Sequence, residues 1–145
     1  MTAPLGGNED HVDINRINPE ELAPAVGFSH AVVASGTPGA CPVFVAGQTG
    51  TDARGVIVGA GIVEQFARAL DNLLVALRAA GAEPDALTSL TVYLTSIAEY
   101  RAHAAEIGKV WRDRCGRAYP AMAVVEVARL WDPAAKVELQ GAAVR

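Results

Sequence analysis

The sequence is poor in aromatic side chains, in charge and in cysteine, and each shortage narrows the reading. Aromatics make up 6% of the 145 residues and charged residues 19%. Twelve Lys and Arg stand against 16 Asp and Glu, a formal net charge of −4, and no basic block occurs. Nucleic acid and an anionic membrane surface are therefore poor partners, because phosphate contacts need clustered cations. Charges or glycines interrupt every strongly apolar stretch, so no membrane span is expected. The N-terminal segment MTAPLGGNEDHVD is polar and acidic and lacks the apolar core of a signal peptide. Cys41 and Cys115 are the only cysteines and have no metal-type spacing. They read as free thiols of a reducing, cytoplasmic compartment, with no disulfide framework.

Small apolar residues are what the chain has in excess. Apolar types account for 51%, and 28 Ala and 17 Val supply most of them. A single domain is the expectation at this length. A domain this small buries only about 68–70% of its chain surface. Further copies of the chain are the natural cover for the remaining apolar surface, so an oligomer is expected.

Residues 1–26 carry Pro4, Gly6, Gly7, Pro19 and Pro24 and read as an arm without a core, ahead of a domain over 27–145. Two β-branched runs, 30–35 and 42–48, flank a Gly36-Thr37-Pro38-Gly39 turn. Residues 62–80 form the clearest helix, with Ile62, Phe66, Leu70, Leu73, Leu74 and Leu77 at helical spacing and Gly81 as the stop. Residues 88–95 alternate as a strand, and 98–114 read as one helix ended by Gly116. Residues 121–129 and 136–144 read as two closing strands around an Asp132-Pro133 turn. The order is β-β-α-β-α-β-β, an α+β layer with two helices on one sheet face and the other face left for another subunit.

No phosphate-binding loop, dinucleotide fingerprint, zinc spacing or serine-nucleophile motif is present. His11, His30 and His103 lie far apart in sequence. Polar residues on apolar strands are more informative. Met122, Val124 and Glu126 share one strand face, and Lys136, Glu138 and Gln140 share another. A carboxylate on such a strand needs a partner or titrates. For Glu126, Arg129 or Lys136 is a candidate partner across a closing hairpin, with a subunit-interface ion pair or a catalytic role as the other readings.

Tyr119-Pro120-Ala121-Met122 followed by Val125-Glu126-Val127-Ala128-Arg129-Leu130 resembles the signature of the Rid family, the reactive intermediate deaminases formerly called the L-PSP endoribonuclease family. Val45-Ala46-Gly47-Gln48-Thr49 resembles its second-strand motif. Glu64-Gln65, Leu70-Asp71-Asn72-Leu73 and Ala79-Ala80-Gly81 resemble its first helix, and Thr91-Val92-Tyr93-Leu94 its third strand. The resemblance covers residues 27–145. It implies a chorismate-mutase-like fold, a homotrimer with a small-molecule pocket at each subunit interface, and cofactor-free, metal-free hydrolysis of imines or enamines.

The resemblance also implies departures. The arginine that grips a substrate carboxylate becomes Met122, and a thioether cannot replace a bidentate guanidinium contact. The glutamate that places water is matched to Gln140, a tyrosine near the first strand to Phe28, an asparagine of the second helix to Ala104, and a pocket cysteine of the signature strand to Val124. Ser29 and Gln48 remain candidate ligand contacts. Glu126 and Arg129 are retained as structural residues. The expected activity is hydrolysis of a neutral or apolar imine, enamine or related metabolite other than 2-iminopropanoate. The alternative is a non-catalytic trimer that binds a small molecule.

Overall fold

The computed structural model describes residues 13–25, 29–36, 39–117 and 119–145. Nine elements follow in chain order: β1 (Asp13–Ile17), β2 (Ala31–Ser35), β3 (Pro42–Thr49), α1 (Ile62–Ala79), β4 (Leu87–Leu94), α2 (Ile97–Ala102), α3 (Ala104–Cys115), β5 (Ala121–Glu126) and β6 (Val137–Val144), with a 3-10 turn at Pro84–Ala86. One six-stranded sheet runs β1-β2-β3-β6-β4-β5. All neighbours are antiparallel except β4 and β5, which are parallel.

The alternation of β-branched and small residues decides which face of the sheet is buried. Val43 and Val45 of β3, Val137, Leu139, Gly141 and Ala143 of β6, and Leu90, Val92 and Leu94 of β4 are buried. They meet α1, whose buried stripe includes Ile62, Phe66, Leu70, Leu73 and Leu77. α1 stops in a Schellman motif: Ala82 N–H donates to the Leu77 carbonyl at 3.1 Å and Gly81 N–H to Arg78 at 2.9 Å. Gly81 sits at φ +81°, a conformation that glycine adopts without strain. α3 adds Ile107, Trp111 and Cys115 to the core, and Arg114 forks onto Asp71 of α1. Burial pushes the Cys115 thiol up to about 11, so it stays a neutral thiol.

Three expectations change. The stretch 1–26 is not simply an arm: β1 pairs along β2, and Leu22 is buried in the core. The single helix over 98–114 is two helices. At the break the His103 ring Nδ1–H donates to the Glu99 carbonyl at 3.0 Å, the acceptor its own backbone N–H would use in a continuous helix. That N–H turns to Tyr100 at 3.2 Å instead. The closing strands do not form a hairpin, because β6 inserts between β3 and β4 while β5 runs beside β4 at the edge.

The face away from α1 is open. Phe44 (55% exposed), Gln140 and Val144 project from it, with Ala142 partly covered. All six residues of β5 are exposed. No helix among the described residues is long and apolar enough to cross a membrane.

Candidate functional site

Where β3 and β6 pass Gln48 and Glu138 the ladder is irregular, with a register shift between Val45 and Gln48. A cavity of about 520 Å³ opens there. Ala23, Pro24, Ala46, Gly47 and Thr49 form part of its wall, and His30, Gln48, Trp131, Asp132 and Glu138 bring the functional groups. The volume suits a small metabolite.

Amide side chains of α1 fasten two sides of this cavity. Gln65, 2% exposed, donates to the carbonyls of Gly59 and Ala134 at 3.1 Å each and accepts from Lys136 N–H at 2.8 Å. Two turns further on, Asn72 donates to the Thr49 carbonyl at 3.0 Å and the Thr51 carbonyl at 2.9 Å. Gln65 therefore holds the loop that carries Trp131 and Asp132, and Asn72 holds the β3 rim. The spacing of seven puts both amides on one helix face. Two amides on the apolar stripe were the signal in the sequence, and no role was assigned to them there.

His30 and Gln48 form a closed polar pair. The His30 ring Nε2–H donates to the Ala23 carbonyl at 2.8 Å, which leaves Nδ1 to accept from the Gln48 amide at 3.1 Å. The Gln48 amide also reaches the Ala46 carbonyl at 3.3 Å. This pair ties the segment before β2 to the cavity.

Glu138 is the half-buried carboxylate of the cavity. It lies across β3 at Gly47, where any Cβ would collide with the carboxylate. Partial burial raises its carboxyl above the ordinary glutamate range, with desolvation the sole cause. Such a group exchanges protons closer to neutrality than an exposed carboxylate does. Asp132 also faces the cavity, but its Oδ1 accepts from Ala134 N–H at 2.8 Å, a structural turn contact.

Of the residues singled out in the sequence, Gln48 lines the cavity. Gln140 lies one strand step from Glu138, exposed, and accepts from the Tyr93 hydroxyl at 3.2 Å. Glu138 rather than Gln140 is thus the cavity residue on this strand face. Met122 and Val124 are on edge strand β5 in register with buried Leu90 and Val92, which turns them to the helix side. They do not line the cavity of the single chain, and neither does Ala104, exposed at the start of α3. Ser29 is half-buried beside His30, and Phe28 lies outside the described residues. Glu126 has neither proposed ion-pair partner: its Oε2 accepts from Ile97 N–H at 2.9 Å at the head of α2, while Lys136 pairs with Glu99 at 2.7 Å. No group of three or more His, Cys, Asp and Glu that could hold a metal gathers among the described residues.

This sheet, its helix layer and a polar cavity define a candidate small-molecule site on an α+β scaffold. The sequence model of the Endoribonuclease L-PSP family matches residues 18–145. The 2-iminobutanoate/2-iminopropanoate deaminase of Capra hircus is 32% identical over 135 residues, which cover 91% of each protein. A RutC family protein of Pyrococcus abyssi is 36% identical over 89 residues, 61% of this chain and 67% of that one. The crystal structure of YyfA from Yersinia pestis, of the Rid protein family, superposes with a TM-score of 0.75 at 25% identity, covering 90% of this chain and 98% of that one. The chain belongs to the Rid (L-PSP) family and has, in general terms, a Rid-type function.

Proposed function

We propose that the protein hydrolyses a small imine or enamine to a carbonyl compound and ammonia, with Glu138 as the proton-transfer group. The observation that carries this reading is a half-buried carboxylate of raised pKa at the wall of a metabolite-sized cavity. In the protonated imine, the C=N carbon is electrophilic. Water adds to it as Glu138 takes a proton from the water, and the π pair moves to nitrogen. Glu138 then returns that proton to the nitrogen of the carbinolamine. The C–N bond breaks, ammonia leaves, and the hydroxyl oxygen becomes the carbonyl oxygen once it loses its own proton to solvent. One carboxylate that accepts and then donates suffices, and its raised pKa favours the returning step.

The chain works as a homotrimer in this reading. Support comes from the open sheet face around Phe44 and from the exposed strand β5, which another copy would cover. A second subunit would bring Met122 and Val124 toward the pocket that the resemblance expects. The two free thiols and the charge pattern fit a cytoplasmic protein.

The test is ammonia release from imines generated in place, with and without a carboxylate, by the wild-type protein and Glu138→Gln. Turnover of carboxylate-free imines, lost by at least about 100-fold in the variant, supports the reading. Turnover of 2-iminopropanoate at the faster rate contradicts the substrate assignment. Ligand binding without any turnover reduces the protein to a binding trimer.

A further inference from the structure

Trp131 is 99% exposed, which is rare for the largest apolar side chain, yet its backbone is firmly held. Asp132 closes the turn behind it: its Oδ1 accepts from Ala134 N–H at 2.8 Å and its carbonyl from Ala135 N–H at 3.0 Å. Buried Gln65 clamps Ala134 and Lys136 beyond. A pinned loop thus presents a bare indole at the rim of the cavity that contains Glu138. The same cavity has two carboxylates, Asp132 and Glu138, and no Lys or Arg among its described lining residues. Such a wall repels anions and attracts cations. An indole face attracts planar and cationic groups as well.

We infer that this cavity selects planar, carboxylate-free cations, of the protonated imine or amidine type, by stacking them on Trp131 with Glu138 as counter-charge. The inference deepens the proposed hydrolysis and rests on the same site, but it concerns binding and needs no turnover. Trp131 is its specificity-determining residue. A second cavity, of about 800 Å³, shares Trp131 and Asp132 and is lined also by Arg129 and Lys136. Its Arg129 makes it the competing site for an anion.

The chain's two tryptophans make a direct test, because Trp111 is 4% exposed and Trp131 is not covered at all. Tryptophan fluorescence of the full-length protein is titrated with three near-isosteric probes: benzamidine (cation), benzamide (neutral) and benzoate (anion). Benzamidine should quench saturably and bind about 10-fold tighter than benzamide, and benzoate should give no saturable change. Calorimetry should show Trp131→Ala weakening benzamidine by about 10-fold and Trp131→Phe by less. Glu138→Gln should erase the preference for benzamidine over benzamide. Position 131 makes no core contact, so these variants fold.

Three results overturn the inference. Benzoate as the tightest probe would assign Trp131 to the Arg129–Lys136 cavity. Trp131→Ala must not leave benzamidine affinity unchanged. In the ligand-free protein, Trp131 must not already be shielded from acrylamide, which would mean that another copy covers it. Ammonia release with an unchanged Trp131→Ala Kd defeats this inference alone. The full binding series without ammonia release defeats the hydrolase reading alone.

Discussion

The cavity at Glu138 and the edge strand β5 belong to one sheet and are built on opposite principles. Around Glu138, buried amides of α1 fasten the backbone, a glycine makes room for the carboxylate, and His30 pairs with Gln48. β5 has no such support: its six residues are exposed, and Met122 is 41% open to solvent. An apolar edge of this kind is a liability unless another chain covers it. The comparison separates the two proposals: half-buried Glu138 in the cavity for the chemistry, and the exposed Phe44 face with β5 for the assembly.

The largest expected effect breaks the assembly side. Phe44→Asp places a charge in the middle of the open face, and light scattering should show a trimer converted to monomer at micromolar concentration. An unchanged trimer would show that the copies meet elsewhere. Next is the fastening of the cavity. Gln65→Ala removes hydrogen bonds to three backbone groups, two of them on the Trp131 loop, and should cost about 3 kcal/mol in denaturant unfolding. Hydrogen exchange should accelerate at Lys136, whose N–H loses its acceptor. Asn72→Ala frees two carbonyls at the β3 rim and should cost about 2 kcal/mol. Loss of either amide should leave the β4–β5 pairing unaffected, and a matching rise in exchange along β5 would dissolve the distinction between the two regions.

The smallest effect concerns Glu138 itself. Its folded pKa lies above the unfolded value, so the native state binds the extra proton. The group's contribution is therefore fully present at acidic pH and is lost as pH rises through the folded pKa. Glu138→Gln removes that loss. The variant should have the higher Tm at neutral pH, and the difference should close below the ordinary glutamate range. A variant that is less stable at neutral pH would mean that the ionised carboxylate is a supported structural group.

Much of the scaffold was legible in the sequence because its signals are local. The apolar stripe of α1 from Ile62 to Leu77, the Gly81 stop and the alternation of β4 each depend on neighbours within a few residues. The order of strands was harder. Nothing local says that β6 inserts between β3 and β4, so β5 and β6 read as a hairpin. The break at His103 needed one ring-to-carbonyl bond to outweigh a continuous helical pattern. At the site, Gln48 and the shared face of Glu138 and Gln140 were visible. The choice of Glu138 depended on the irregular register beside Gly47 and on the loop folded back by Gln65, both long-range. Trp131 carried no periodic signal, because its position comes from that loop.

The central claim is that Glu138 is a proton-transfer group in the cavity beside the Trp131 loop. Its most direct test is an NMR titration of the Glu138 side-chain carboxyl carbon in the assembled, labelled protein, with Glu138→Gln to assign the resonance. The account predicts a midpoint above the ordinary glutamate range, changed in Gly47→Ala, where the added Cβ displaces the carboxylate from its half-buried place. A midpoint within the ordinary range in the wild-type protein would contradict it.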